Sequence, residues 1–392
     1  MSEFKLDFQD TATAFADKSD AELTEKSRIF RLLNSPFLNA IGTRSAKWAL
    51  SLGLPVEGLI KSTIFEQFCG GESIEECEPT VKKLGAAGIG TILDYSIEGK
   101  STEEDFERTK DEIIRTIKRA KDDPNIPFAV FKVTGIAPLG TLERLSARKK
   151  LDAKSQMKCE RIYARVNEIC SFAYSIGQPV FIDAEDSWIQ DAIDRLAVGM
   201  MEKYNLEGPI IFNTIQLYRT DRLQYLKGAR RQAKNDGYIL AVKLVRGAYM
   251  EKERERAEEQ GYPSPIHKDK QSTDRDYDAA IIYCLDHLDD ISFVAGTHNE
   301  KSTQMLAGKM QERGLPHNHA SIFYSQLYGM SDNLSYVLSA NGYNVSKYVP
   351  YGPVKDTIPY LVRRAEENSS AAGQISRELD LINKELKRRS LS

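Results

Sequence analysis

Two adjacent arginines near the C-terminus, Arg363 and Arg364, are the residues whose type and spacing most clearly suit chemistry. They lie in the segment YVPYGPVKDTIPYLVRRAEEN (348–368), between Tyr360 and Glu367. Helical spacing would put these four side chains on roughly one face. A guanidinium group matches a carboxylate or a phosphate with two parallel hydrogen bonds. The segment therefore suits a clamp for a small amphiphilic anion, and the alternative is a solvated, charged helix end.

The elements that must position this clamp form a regular series of apolar, β-branched runs separated by amphipathic helical stretches. Such strands, alternating with helices, indicate a parallel sheet that is covered on both faces. Eight units predict an α/β fold of the (β/α)8 type, and an open doubly wound sheet is the alternative. We expect residues 1–80 to be a helical segment and residues 81–392 to form the barrel. The predicted strand runs are 88–96, 128–135, 179–185, 209–218, 238–248, 292–299, 321–329 and 344–352.

Nearly every run ends on a polar or ionisable residue after an apolar body. Catalytic groups of a barrel come from the carboxyl ends of its strands, so these residues are expected to meet at one mouth. A barrel packed for stability alone would not need them. The residues at the ends of the runs are Asp94, Glu98, Lys132, Thr134, Asp183, Glu185, Gln216, Lys243, Arg246, Thr297, His298, Asn299, Gln326 and Tyr348.

Composition excludes several classes of protein. The formal charge of -3 gives no general attraction for nucleic acid. No apolar run reaches the roughly 18 residues that a membrane span needs. The five cysteines are scattered and never form CxxC, which favours a reducing, cytosolic setting without disulfides or a metal site. A GxSxG elbow and a Walker A loop are both missing from the sequence.

Two other functions fit part of the pattern. Lys132 or Lys243 could form a Schiff base, as in an aldolase, with the paired arginines holding a substrate anion. A binding protein without catalysis is also conceivable, but it would not need positive groups on several separate strands. The segment 143–177 is longer than one crossover helix and predicts either one long helix or two.

Five motifs in one order point to a family. KLVRGAY (243–249), FIDAE (181–185), THN (297–299), YVPYG (348–352) and YLVRR (360–364) together resemble proline dehydrogenase, over roughly residues 88 to 370. The resemblance implies a distorted (β/α)8 barrel with its last helix over the mouth. It also implies an FAD-dependent flavoenzyme that oxidises L-proline to 1-pyrroline-5-carboxylate by hydride transfer, the first step of proline catabolism.

The resemblance also assigns roles to residues, which we carry as expectations. Arg363, Arg364 and Lys132 would bind the proline carboxylate, with Asp183 beside them, and Glu98 would pair with Arg363 as a gate. The proline ring would be walled by Tyr348, Tyr360, Leu244 and Tyr249. FAD would be contacted by Gln216, Lys243, Arg246, Gly247, Ala248, Thr297, His298, Asn299, Gln326 and Leu327.

The resemblance also implies partners for the protein, and the sequence departs from the family pattern at one position. Electrons would pass to a membrane quinone, which implies a cytoplasmic protein with peripheral contact at the inner face of the membrane. We expect neither nucleic acid nor a fused aldehyde dehydrogenase domain as a partner. Lys243 stands where some bacterial members have arginine; it keeps the charge but loses a bidentate contact.

Overall fold

Eight parallel strands close into a barrel in the computed structural model, which describes residues 6–33, 64–97, 101–361 and 374–390. The strands are β1 (Gly90–Tyr95), β2 (Phe128–Phe131), β3 (Val180–Ile182), β4 (Ile211–Gln216), β5 (Leu240–Val245), β6 (Ile291–Gly296), β7 (Ile322–Leu327) and β8 (Val345–Tyr351). The helices before and between them are α1 (Thr11–Ala14), α2 (Asp20–Leu33), α3 (Glu66–Phe68), α4 (Glu78–Ala86), α5 (Glu103–Ala120), α6 (Leu139–Ser146), α7 (Ala153–Ser175), α8 (Ser187–Tyr204), α9 (Arg222–Asp236), α10 (Met250–Gln260), α11 (Lys270–Leu285), α12 (Glu300–Glu312) and α13 (Asp332–Ala340). Helix α14 (354–361) follows β8, and α15 is Gln374–Ser390.

The strands pair in chain order, and the barrel closes where β8 pairs with β1. That pairing runs from Gly90 opposite Ser346 to Tyr95 opposite Tyr351. Strands β2, β3, β4 and β8 are buried along their whole length, because the helices cover one face and the barrel interior covers the other. The predicted (β/α)8 barrel is therefore confirmed, and the open doubly wound alternative is wrong.

Aromatic side chains plug the lower part of the barrel interior. The Phe128 ring stacks on Phe181 with centroids 4.6 Å apart, and it meets Phe212 and Phe323 edge-on at 5.5 and 4.9 Å. Side chains alternate along a strand, so the next inward position of β3, two residues after Phe181, is Asp183. The charged layer of the barrel therefore rests on an apolar floor that excludes water from below.

The segment 143–177 forms two helices, α6 and α7, which settles the choice between one long helix and two. The break falls at residues 147–152, and Asp152 caps α7 by accepting a hydrogen bond from the backbone N–H of Ser155 at 2.7 Å. An aspartate at this position satisfies an amide that the first helical turn leaves without a partner.

The N-terminal and C-terminal helices pack against each other beside the barrel. Ile375, Leu381 and Ile382 of α15 are buried in one apolar cluster with Phe15 and Phe30. The amphipathic pattern of α15 is thus explained by burial within the protein.

Gly70 and Gly71 lie before the boundary that we expected at residue 80 between the helical segment and the barrel. Both are bonded to β8: the Gly70 N–H donates to the Pro350 carbonyl at 2.8 Å, and Gly71 forms a bridge with Tyr351.

A buried ionic cluster ties α2 to the barrel wall. The Asp332 carboxylate lies 2.6 Å from the Nζ of Lys26 on α2 and 2.9 Å from the Nζ of Lys347 on β8. Burial alone would raise the pKa of Asp332, but the charges of the two lysines hold it far below its usual range. Lys347 also donates to the carbonyl oxygen of Met330 at 2.6 Å. The cluster fixes the loop after β7 to the N-terminal helices.

Within the described ranges, every helix falls short of the length and apolar character required to span a bilayer.

We expect Asp332→Ala to lower the free energy of unfolding by roughly 3–5 kcal/mol, because it removes the carboxylate that pairs with two buried ammonium groups. Urea denaturation at pH 7 measures this loss. The matched control is Glu312→Ala, which breaks an exposed pair with Lys309 and should cost less than about 1 kcal/mol. Equal losses in the two variants would show that the Asp332 cluster does not hold the helices.

Candidate active site

The Asp183 carboxylate is the centre of the charged layer at the barrel mouth. Its Oδ1 accepts a short hydrogen bond from the Nζ of Lys243, and its Oδ2 accepts one from the hydroxyl of Tyr348. The Nζ of Lys132 lies 3.4 Å from the same Oδ2. The residues come from β3, β5, β8 and the end of β2, so only barrel closure brings them together.

A second carboxylate, Asp94 on β1, completes this layer. It lies 3.1 Å from the Nζ of Lys132 and accepts a hydrogen bond of 2.5 Å from Ser96. Lys132 thus bridges two buried carboxylates from strands on either side of it. Asp94 is a predicted strand-end residue without a predicted role; the signal for its role is the DYS triplet, which puts Asp94 and Ser96 on one face of the strand.

The charges of this layer determine its protonation. Burial alone would raise the pKa of Asp183, but the charges of Lys243 and Lys132 and the hydrogen bonds from Lys243 and Tyr348 lower it to about 2. Burial, and then the carboxylates of Asp183 and Asp94, raise the pKa of Tyr348 well above its ordinary value. At neutral pH the site therefore holds an ionised Asp183 carboxylate and a neutral Tyr348 phenol.

Lys243 is also held by aromatic faces. Its Nζ lies 4.8 Å from the ring centroid of Phe181 below it and 4.8 Å from that of Tyr348 beside it. Cation–π contacts and the ion pair together fix a charge that would otherwise be costly in a buried position.

Gln216 occupies the inward face of β4 next to this layer. Its amide donates to the backbone carbonyl of Glu185 at 2.7 Å. The Glu185 carboxylate in turn accepts hydrogen bonds from the backbone N–H and the hydroxyl of Thr134. These contacts join the ends of β2, β3 and β4.

Arg246, just past β5, is anchored on the rim of the barrel. Its guanidinium bonds Asp274 at 2.7 Å, the hydroxyl of Thr297 at 2.6 Å and the hydroxyl of Ser302 at 2.9 Å, and it lies 4.2 Å from the ring centroid of Tyr277. Three elements, α11, β6 and α12, therefore set its position.

The THN segment turns from β6 into α12. The Asn299 side chain caps α12 by accepting from the N–H of Ser302 at 3.0 Å, and the hydroxyl of Thr297 accepts from the N–H of Asn299 at 3.1 Å. His298 between them hydrogen-bonds through Nδ1 to the hydroxyl of Ser331 at 2.8 Å. The segment is thus held on both sides of the histidine.

The chain matches the proline dehydrogenase family model over residues 77–377. It belongs to the proline dehydrogenase family. The prediction of an oxidoreductase of this family is confirmed.

Individual relatives of this family agree over most of the chain. A Pectobacterium carotovorum protein named carbapenem antibiotics biosynthesis protein CarD is 35% identical over 85% of this chain and 86% of its own length. A mitochondrial proline dehydrogenase 1 of Arabidopsis thaliana is 31% identical over 99% of this chain and 87% of its own. The solved structure of proline utilization A from Bdellovibrio bacteriovorus shares the fold with a TM-score of 0.71 at 19% identity, over 94% of this chain and 40% of that one.

The structure brings together most of the residues that the resemblance singled out, with two corrections. Leu244 does not face the mouth: it is fully buried in the outer core with Leu240 and Val242, because it alternates with the inward-facing Lys243. Gln326 likewise faces outward, where its amide bonds the carbonyl of Thr297 and the hydroxyl of Ser335. Neither side chain lies on the barrel interior, although Leu327 does.

Six further residues were expected to bind proline or FAD or to form the gate, and the structure describes three of them. Tyr249 and Ala248 are half-buried at the start of α10, and Tyr360 is buried among the apolar residues of the N-terminal and C-terminal helices. Glu98, Arg363 and Arg364 lie outside the described residues, so the clamp and its gate stay predictions.

The described residues fit a bound dinucleotide at this mouth. A Cβ on Gly247, whose φ is +141°, would lie 2.4 Å from the Tyr218 ring, so the backbone comes close only because the residue is glycine. Within the described ranges, the buried hydroxyl of Tyr218 and the Nη1 of Arg219 have no hydrogen-bond partner. Orphaned buried donors beside a bare glycine suit the phosphates or sugar of a nucleotide cofactor.

We expect Asp183→Asn to lower the free energy of unfolding at pH 7 by at least about 2 kcal/mol, since a pKa held near 2 stabilises the folded state by roughly that amount. This contribution is fully present above about pH 4, the unfolded pKa, and is lost as the pH falls through about 2. The variant should therefore depend less on pH across that window, which denaturant titrations at several pH values measure.

The matched control for this experiment is Asp286→Asn, which breaks a half-exposed pair with Arg313. It should cost less than about 1 kcal/mol and keep the acid dependence of the parent protein. Parallel pH curves for Asp183→Asn and the parent would show that Asp183 is not the ionised centre of the layer.

Proposed function

We propose that this protein oxidises L-proline to 1-pyrroline-5-carboxylate, as the first step of proline catabolism, with non-covalent FAD as the hydride acceptor. The observation that carries the proposal is the layer of Asp183, Lys132, Lys243 and Tyr348 on top of an apolar barrel floor. The family membership over residues 77–377 supports the same activity.

Proline is a small zwitterion, and the residues proposed to bind it match its two ends. Its carboxylate would be held by Arg363, Arg364 and Lys132, since guanidinium groups bind carboxylates bidentately. Its ring would pack against the aromatic faces of Tyr348, Tyr360 and Tyr249. Glu98 would close the mouth by pairing with Arg363.

FAD supplies the acceptor for the hydride that leaves the carbon beside the proline nitrogen. We propose that Lys243 would help to hold the flavin, where its fixed cation would stabilise added electron density. The other residues proposed to hold the cofactor are Gln216, Arg246, Gly247, Ala248, Thr297, His298, Asn299 and Leu327.

Asp183 is proposed to position rather than to take up a proton. A carboxylate with a pKa of about 2 is a weak base at neutral pH, so it is poorly matched to deprotonating the proline amine. Its contacts instead fix the two lysines and the Tyr348 phenol. The substrate amine would lose its proton to water before the hydride leaves.

The same contacts weigh against the Schiff-base alternative. A lysine must be neutral to attack a carbonyl. Lys132 and Lys243 are both held in ion pairs with buried carboxylates, Lys132 with Asp94 and Lys243 with Asp183. An aldolase would need at least one lysine away from such a partner.

A membrane quinone is proposed to reoxidise the flavin, with the protein in the cytoplasm and in peripheral contact with the membrane. The basic end of α15 adds no support for that contact, because Arg388 and Arg389 bond the buried carboxylate of Glu385.

We expect the purified protein to be yellow and L-proline to bleach its flavin bands under anaerobic conditions. Acid precipitation should release the flavin into the supernatant, since the motifs place no histidine or cysteine for covalent attachment. Visible spectra before and after each step measure both results. A protein that takes up no FAD, or keeps its flavin in the pellet, would contradict the proposal.

Two arginine variants provide matched controls for the bleaching experiment. Arg364→Met should keep its colour yet bleach at least about tenfold more slowly, because a charge-assisted contact to the carboxylate contributes roughly 1.5–3 kcal/mol. Arg313→Met removes a guanidinium that pairs with Asp286 on the surface and should bleach at the parent rate.

We also expect a preference for L-proline over 4-hydroxyproline of at least about tenfold in kcat/KM, because a pocket without a partner for the hydroxyl discriminates against it. The Tyr348 ring is fixed by Asp183 and should crowd the ring edge where the hydroxyl lies. Rates with an artificial electron acceptor measure the ratio. Tyr348→Ala should shrink the preference and Tyr348→Phe, which keeps the ring, should retain it; equal efficiency of the parent protein on both substrates would exclude this role.

A further inference from the structure

Ser331 sits at a point of backbone strain between β7 and α13. It precedes α13 with φ +51° and ψ +43°, in the left-handed region that residues other than glycine rarely adopt. A conformation of this kind persists only when the surroundings determine it, and such positions cluster at functional sites. Ser331 is fully buried, so its surroundings are other protein groups.

Contacts at its N–H, its carbonyl and its hydroxyl hold Ser331 in this conformation. The backbone N–H of Ser331 donates a short hydrogen bond to the carboxylate of Glu378 on α15. Its carbonyl accepts from the N–H of Leu334 at 3.0 Å, which starts α13. Its hydroxyl bonds the Nδ1 of His298 at 2.8 Å. A residue on the C-terminal helix is thus connected through one serine to the THN segment.

The contacts also select one tautomer of His298. The backbone N–H of Leu327 points at Nε2 from 3.4 Å, so Nε2 acts as the acceptor. Nδ1 then carries the proton and donates to the Ser331 hydroxyl. The orientation of the imidazole therefore depends on where the Ser331 hydroxyl is held.

Glu378 holds the Ser331 backbone, from which that hydroxyl projects, through the bond to the N–H. Its side chain is 1% exposed, although it lies on the otherwise amphipathic α15. A carboxylate is costly to bury, and an apolar residue would fill the position without that cost. The Ser331 N–H provides this buried acid with a hydrogen-bond donor. Burial raises its pKa, partly offset by the charges of Lys26 and Lys347.

We propose that Glu378 is a positioning residue for His298, acting through Ser331, so that the docked C-terminal helix is part of the cofactor site. The inference rests on the proposed function, in which His298 contacts FAD. The inference adds Glu378 to the proposed cofactor site. Glu378 follows the THN motif by more than 75 positions in the sequence and lies outside the barrel. The connection also accounts for a serine at a position where a glycine would relieve the strain.

The first test is the binding of FAD to apoprotein, measured by quenching of flavin fluorescence. Glu378→Ala should weaken binding at least about tenfold, and Glu378→Gln should stay within about threefold, since the glutamine oxygen still accepts from the Ser331 N–H. Ser331→Ala removes the hydroxyl but keeps the backbone contact, and it should weaken binding as Glu378→Ala does. The double variant should be no worse than either single one, because both act through one connection.

The matched control is Glu385→Ala on the same helix. Its carboxylate is also buried, but it bonds Arg388 and Arg389 and makes no contact with Ser331 in the described structure. It should reduce stability without changing the affinity for FAD. Loss of affinity in Glu385→Ala equal to that in Glu378→Ala would reduce Glu378 to a structural residue and overturn the proposal.

The second test does not need the cofactor. Nitrogen-15 NMR of the imidazoles in apoprotein, with the His298 signals assigned by His298→Gln, reports the tautomer directly. Protonation at Nδ1 is expected in the parent protein and in Glu378→Gln, and a mixture of tautomers in Glu378→Ala and Ser331→Ala. Unchanged His298 signals in Ser331→Ala would overturn the proposal even if Glu378→Ala failed to fold.

The two tests separate the inference from the function on which it rests. If the parent protein binds no FAD, the proposed function fails, while the NMR result still decides whether Glu378 orients His298. If the parent protein binds FAD and Glu378→Ala binds it equally well, the proposed function survives and this inference fails.

Discussion

One buried carboxylate organises the mouth of this barrel. Asp183 holds two ammonium groups and a phenol from three other strands, over an aromatic floor that keeps water away from below. Each of these charges would be expensive to bury alone. Together they form a layer whose members fix one another, and every other part of the proposed site is arranged around it. The low pKa of Asp183 follows from the same arrangement.

The barrel architecture makes this layer possible. Parallel strands all end at one mouth, so a residue at each strand end reaches a common space. The alternation of side chains along a strand decides which of two neighbours enters that space. The side chain of Lys243 points into the barrel and that of Leu244 points outward. These two neighbours in the sequence therefore belong to different places, Lys243 to the charged layer and Leu244 to the outer core.

The helices outside the barrel also hold the loop after β7 in place. The Asp332 cluster fixes the loop after β7 to α2, and Glu378 of α15 reaches the same loop. That loop contacts His298 through Ser331. Helices α2 and α15 therefore belong to the physical account of the mouth, although neither contains one of the five motifs.

The sequence alone determined the fold and the family and showed polar residues at the strand ends, because strand period, strand-end residues and ordered motifs are local properties that can be read along the chain. Tertiary structure alone decided the partners: that Asp94 shares Lys132 with Asp183, that Leu244 and Gln326 face outward, and that Glu378 meets Ser331. The Asp94–Lys132 and Glu378–Ser331 pairs join residues 38 and 47 positions apart. Their contact depends on strand register and helix docking, which no local pattern encodes.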